Sequence, residues 1–241
     1  MDDKKFDTLI KKNDAPQRWY PQPVSTYKRS IIVSGDYDET NRIKSNFAYS
    51  MQYIEFIEKE FNELVLSEVL ATMLIKSYII TGMGIIEMLL VNILHSTNHW
   101  NTSEWGEYKV FISNRQECDG RICKVETHLF EQIPQYDMRM DLDSMIKRAE
   151  KKNLLTINHD VFPALKMLRE LRNRVHLQIG ENSTDHDYNV FQYEHLQMMR
   201  RILFSILTCK EFCAESTTFD FIKVSVNPIG VSKKPSRNEI I

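Results

Sequence analysis

The sequence predicts a mainly α-helical fold, a helical bundle carrying one inserted β-hairpin. Three observations carry this expectation. A chain of 241 residues holds only 7 Gly and 7 Pro and is rich in Leu, Ile, Met, Glu and Lys, a composition that favours long helices over many short strands. Apolar residues recur at helical spacing through several long stretches. Strand-like alternation is confined to one segment between Trp100 and Tyr136. The length suits one main core with appendages. With 42% apolar and 27% charged residues, the chain is expected to fold and to be neither disordered nor fibrous.

Residues 1–39 mix charges with Pro16, Pro21 and Pro23 and read as an N-terminal arm, with at most one short strand at "RSIIVSG". The helical domain is expected over 40–213. Asp38 and Thr40 can start its first helix, in which Ile43, Phe47, Met51, Ile54 and Phe61 share a face, and Asn62 to Ser67 carry the turn. The helix from Val69 to Leu94 is apolar nearly all round and is expected to be the most buried element. Lys76 and Glu87 interrupt it, so no charge-free run reaches the roughly 20 residues that cross a bilayer, and no membrane span is expected.

The insertion, at about 100–136, contains "EYKVFIS" and "RICKVETHLF" around Asp119-Gly120, a hairpin pattern. "LDSMIKRAEKKN" follows as a short helix with Leu142, Met145, Ile146 and Ala149 on one side. A third long helix should begin near His159, take Pro163 in its first turn and stop at Gly180. "DYNVFQYEHLQMMRRILFSILTCKEF" reads as a last helix, and 214–241 as a loose tail.

The formal net charge of −2 carries no global nucleic-acid signature, so any RNA contact should be local. Cys118, Cys123, Cys209 and Cys213 are sparse and irregular, and no leader is read ahead of them. They suit ordinary thiols in a reducing cytoplasm. Neither metal nor cofactor is expected: "HSTNH" places His95 and His99 an i,i+4 step apart, yet neither the spacing nor Asp141 and Asp143 completes a familiar ligand set, and a satisfied helix end explains the pair. Tyr188, Phe191 and Tyr193 could stack bases, although core packing is the commoner role. Arg200 and Arg201 read as a solvated face that could reach a phosphate.

The most informative stretch is "RELRNRVHLQ", 169–178. At about 100° per residue, Ala164, Leu168, Leu171 and Val175 form one stripe that can face the core. Arg169, Arg172, Asn173 and His176 fall on a second stripe roughly 110° away, and Arg174 points elsewhere. Guanidinium groups match phosphate oxygens through a planar fork, imidazole moves a proton near neutral pH, and an amide can orient either. Phosphodiester transfer uses these groups together; an exposed cationic helix face is the other reading of the same residues.

"LRELRNRVHLQ", preceded by "DLDSMIKRAEKKNLL" and by "GMGIIEMLLVNIL", resembles the HEPN superfamily over roughly residues 40 to 212. Ribonuclease members of that superfamily carry Arg, four to six residues, then His. Arg169 to His176 fits this pattern, whereas Arg172-Asn173 to His176 resembles the Arg-Asn form with a shorter gap; Arg172, Asn173 and His176 are taken as the core, with Arg169 in support. The resemblance implies a HEPN-like up-and-down bundle and a metal-independent endoribonuclease that leaves 2′,3′-cyclic phosphate ends. It further implies RNA as substrate, a homodimer with both motifs on one cleft, and a toxin or anti-phage defence role with a possible antitoxin partner. Many members cut nothing, so a helical module that binds nucleotide, RNA or a protein is the alternative.

Overall fold

A computed structural model of the protein describes residues 19–174 and 186–224, and within them the chain is mostly helical. The helices are α1 (Val24–Ser30), α2 (Tyr37–Glu63), α3 (Glu68–Ser96), α4 (Leu142–Lys151), α5 (Val161–Asn173), α6 (Asp187–Val190) and α7 (Tyr193–Leu207), followed by a 3-10 helix at Ser216–Ile222. Between α3 and α4 stand the strands β1 (Thr102–Ile112), β2 (Gln116–Cys118), β3 (Arg121–Cys123) and β4 (Glu126–Asp137).

The sequence sets where the main helices start. Asp36 caps α2 by accepting the Glu39 N–H at 2.8 Å, Ser67 caps α3, and Asp141 caps α4 by accepting the Ser144 N–H at 2.7 Å. Each satisfies a donor that the first helical turn leaves unpaired. α3 is the hub: α2, α4, α5 and α7 all pack on it. Its length and composition would suffice to cross a membrane, but half of that stretch is buried inside this fold. Two of its buried polar residues are matched within the fold: Lys76 meets Asp187 at 2.7 Å, and Asn92 donates to the Ser34 carbonyl at 2.6 Å while accepting the Ser34 N–H at 3.0 Å. Gly82 lets α3 and α7 approach closely, since a Cβ there would stand 2.8 Å from Met199 Cε. On α4 the four expected residues, Leu142, Met145, Ile146 and Ala149, are the buried ones.

The strand expected at "RSIIVSG" does not form, because Arg29 and Ser30 end α1 and only Ile31 makes a β-bridge, to Cys213. Seven residues without an apolar period are helical here because Tyr27 is fully buried and its hydroxyl donates to Glu55 Oε2 at 2.7 Å. Residues 24–39 therefore belong to the body rather than to an arm. Likewise Phe219 and Ile222 are buried, so the tail is anchored as far as 224. The last helix is two: an extended Phe191, buried to 1% exposure, separates α6 from α7.

β1 and β4 pair antiparallel from Thr102↔Asp137 to Ile112↔Glu126, and β2 and β3 continue the ribbon to its tip. Asp119 (φ 51°) and Gly120 (φ 73°) both lie in the left-handed region that a tight two-residue hairpin requires, as the Asp-Gly pair predicts.

Candidate functional site

α5 begins as expected, with Pro163 in the first turn, where no intrahelical partner for its missing N–H is needed. Its inward face is not the expected one. Val161, Phe162, Leu165 and Leu168 are buried, while Ala164 and Leu171 are only half-buried. The reason is an arginine: Arg172 follows Leu165 by seven positions, about 20° round the helix, and so lies on the core-facing stripe rather than roughly 110° from it.

There the Arg172 Nη2 donates to Glu87 Oε2 of α3 at 2.8 Å, both side chains about a third exposed (36% and 31%). Arg169 lies one turn back, its Nη2 3.3 Å from Asp143 Oδ1 of α4, with its Nε buried and unpartnered among the described residues. Asn173, the last residue of α5, is exposed. Arg174 caps the helix, its N–H turning back to the carbonyls of Leu171 and Arg172. Arg169, Arg172 and Asn173 thus all lie in the last turns of α5, the two arginines held by carboxylates of different helices. Among the described residues α5 runs to Asn173; Val175, His176 and the expected stop at Gly180 lie outside them.

The two carboxylates near these arginines have different work. Asp143 holds both Arg169 and Lys147, the latter at 2.5 Å. Asp141 is the α4 cap, and the Ser144 N–H it accepts keeps its carboxyl below the ordinary range. His95 stacks on Trp100 with ring centres 4.3 Å apart, and the His99 ring meets Thr97 Oγ1 at 3.0 Å while its carbonyl accepts from Arg148. Both belong to the end of α3, and among the described residues no three His, Cys, Asp or Glu side chains converge as metal ligands. Cys118, Cys123, Cys209 and Cys213 are all free thiols, and burial pushes that of Cys209 up to about 12.

The aromatic trio divides. Phe191 is core, beneath the Lys76 ammonium, whereas Tyr188 and Tyr193 are 43% and 60% exposed. For Arg200 a solvated face is incorrect. Its Nε donates to Glu58 Oε1 at 2.7 Å and its Nη2 to Oε2, a two-pronged pair tying α7 to α2, with both side chains nearly buried (13% and 8%). The fully buried hydroxyl of Tyr78 on α3 has no hydrogen-bond partner among the described residues, and burial together with the Glu58 charge raises its pKa well above the ordinary value. This cluster carries a signal in the sequence: Glu58 follows Ile54 by four positions, in phase with the core face. A separate groove of about 440 Å³ lies between the start of α2 and the end of α3, lined by Ser34, Ile43, Met88 and His95.

No family model, no curated protein and no solved structure matches this chain.

Proposed function

We propose that the protein is a metal-independent endoribonuclease of the HEPN kind, working as a homodimer in a toxin or anti-phage defence role. The observation that carries this reading is the pair of arginines on successive turns at the end of α5, each oriented by a carboxylate from another helix, immediately ahead of Asn173 and His176. Arg172 spends one guanidinium nitrogen on Glu87, and the rest of its planar fork can meet phosphate oxygens.

In the reaction proposed, the 2′-OH of the substrate attacks the adjacent phosphorus, the 5′-oxygen leaves, and His176 transfers a proton to or from the reacting oxygens. Arg172 and Arg169 stabilise charge gathering on the phosphoryl oxygens. Dependence on the 2′-OH selects RNA over DNA. The test is cleavage of labelled RNA in EDTA. His176→Ala should abolish cutting, and Arg172→Lys should impair it by keeping charge while losing the fork. If both variants cut like wild type, or if cutting disappears on chelation and returns with a divalent ion, the assignment is overturned.

A second reading, a helical binding module without catalysis, is favoured by the same ion pairs, because Glu87 and Asp143 already engage the arginines as interhelical ties. Under it no RNA is cut, and Arg172→Lys lowers only the melting temperature.

A further inference from the structure

Two of the four cysteines stand at the tip of the ribbon, Cys118 on β2 and Cys123 on β3. Their spacing along the chain matches no familiar ligand set, and it is the register that brings them together. It pairs Cys118 with Arg121 and Gln116 with Cys123. Residues opposite one another in an antiparallel pair project to the same side, as do residues two apart on one strand. Gln116, Cys118, Arg121 and Cys123 therefore share one side of the tip, with the thiols at diagonal corners, while Glu117 and Ile122 take the other side. The left-handed Asp119 and Gly120 fix this register, and a slip of one residue would put the thiols on opposite sides.

The diagonal selects the chemistry. Diagonal neighbours across a hairpin lie ~7–8 Å apart between Cα atoms, beyond the ~4.4–6.8 Å that a disulfide spans, and both thiols are free. An ion held between the sulfurs supplies the missing length. Two metal–thiolate bonds of ~2.3 Å placed in line span ~4.6 Å, where a sulfur–sulfur bond spans about 2 Å. The ligand count then selects the ion. Among the described residues no third His, Cys, Asp or Glu side chain joins the pair, so the four-ligand shell of a structural zinc site is not assembled there. Thiolates favour soft ions, of which Cu(I) is content with two ligands in line. One Cu(I) between two thiolates carries a single negative charge. Of the two charged residues on these strands, Glu117 projects from the far side and Arg121 shares the side of the thiols, so a fixed positive charge offsets the complex. Access is open, since Cys118 is exposed and Cys123 partly so. Cys209 and Cys213 in the body make a poorer pair, because burial pushes the Cys209 thiol up to about 12 and only the thiolate is a ligand.

We propose that Cys118 and Cys123 form a two-thiolate site for a soft, two-coordinate cation of the Cu(I) class at the tip of the ribbon. Binding releases the two thiol protons and changes no oxidation state. The inference goes beyond the ribonuclease reading and stands apart from it, since this site is read by metal binding and the α5 site by cleavage in EDTA.

The reduced full chain, titrated anaerobically with Cu(I) against a chromophoric Cu(I) chelator, should take up one ion per chain and remain the same size in sedimentation. Cys118→Ser and Cys123→Ser should each lower the affinity by more than the ~10–100-fold that loss of an outer-sphere partner costs a metal site. Both variants should keep the helical circular dichroism of wild type, and Cys209→Ser should bind Cu(I) as wild type does. An equal concentration of Zn(II) should leave the bound Cu(I) in place. Uptake no greater than that of the double Cys118→Ser, Cys123→Ser chain, uptake that survives either single substitution, an ion shared between two chains, or displacement by Zn(II) would overturn the proposal.

Discussion

At the scale of single residues, the informative positions are charged side chains standing in phase with an apolar stripe. Arg200 and Glu58 are the strongest case, because both are nearly buried and each takes the other's charge through two hydrogen bonds. Removing one partner strands a charge in the interior, so Arg200→Met should cost about 3–5 kcal/mol in urea unfolding. Adding Glu58→Leu to it should recover most of that loss, which a double-mutant cycle measures directly. The Arg172–Glu87 pair is about a third exposed and follows a different rule: Glu87→Gln should cost less than about 1 kcal/mol. A wheel built on hydrophobicity alone puts such arginines on the outside. It cannot see that Glu87 lies 85 positions before Arg172, nor that Glu58 lies 142 before Arg200. That is why α5 was legible as a helix with two arginines side by side but not as a helix turned to place one of them toward the core.

At the scale of elements, legibility follows how much of an element's stability is local. α4 was legible in its start at Leu142 and its buried face, and overran by only two residues past Lys151, because a cap, a strong apolar face and a basic last turn all agree within ten positions. α1 could not, because seven mixed residues become helical only when Tyr27 enters a core assembled from α2 and the 3-10 helix. The break at Phe191 was hidden for the same reason: a buried ring against Lys76 overrides a continuous helical pattern. The α4 cap gives a pH prediction. The Asp141 carboxyl titrates below its ordinary value because its charged form accepts the Ser144 N–H, so its stabilisation is present above the unfolded-chain value and is lost as pH falls through the folded one. Asp141→Asn, which can still cap, should therefore melt below wild type at neutral pH and converge with it in acid. The α3–α7 contact gives another. Gly82→Val would drive two methyl groups into Met199 and should cost roughly 1–3 kcal/mol in chemical denaturation.

At the scale of the whole molecule, the chain joins a body and an arm whose stabilities have different origins. The body is one cooperative unit, since α3 touches α2, α4, α5, α6 and α7, and Leu89, Leu90 and Leu94 beneath them are essentially unexposed. Opening any of these helices exposes the shared core, so amides of the second half of α3 should exchange with solvent only through near-global unfolding. The arm has no such backing. Within one chain its β1–β4 hydrogen bonds are flanked by water on both faces, and opening them removes almost nothing from the core. Its amides should therefore exchange orders of magnitude faster than those of α3, through local opening that leaves the body folded. Hydrogen exchange of the full chain separates the two units: protection over 102–112 and 126–137 should be lost first while that of α3 persists. Arm amides as slow as those of α3 would mean that body and arm open together, against the division drawn from their packing.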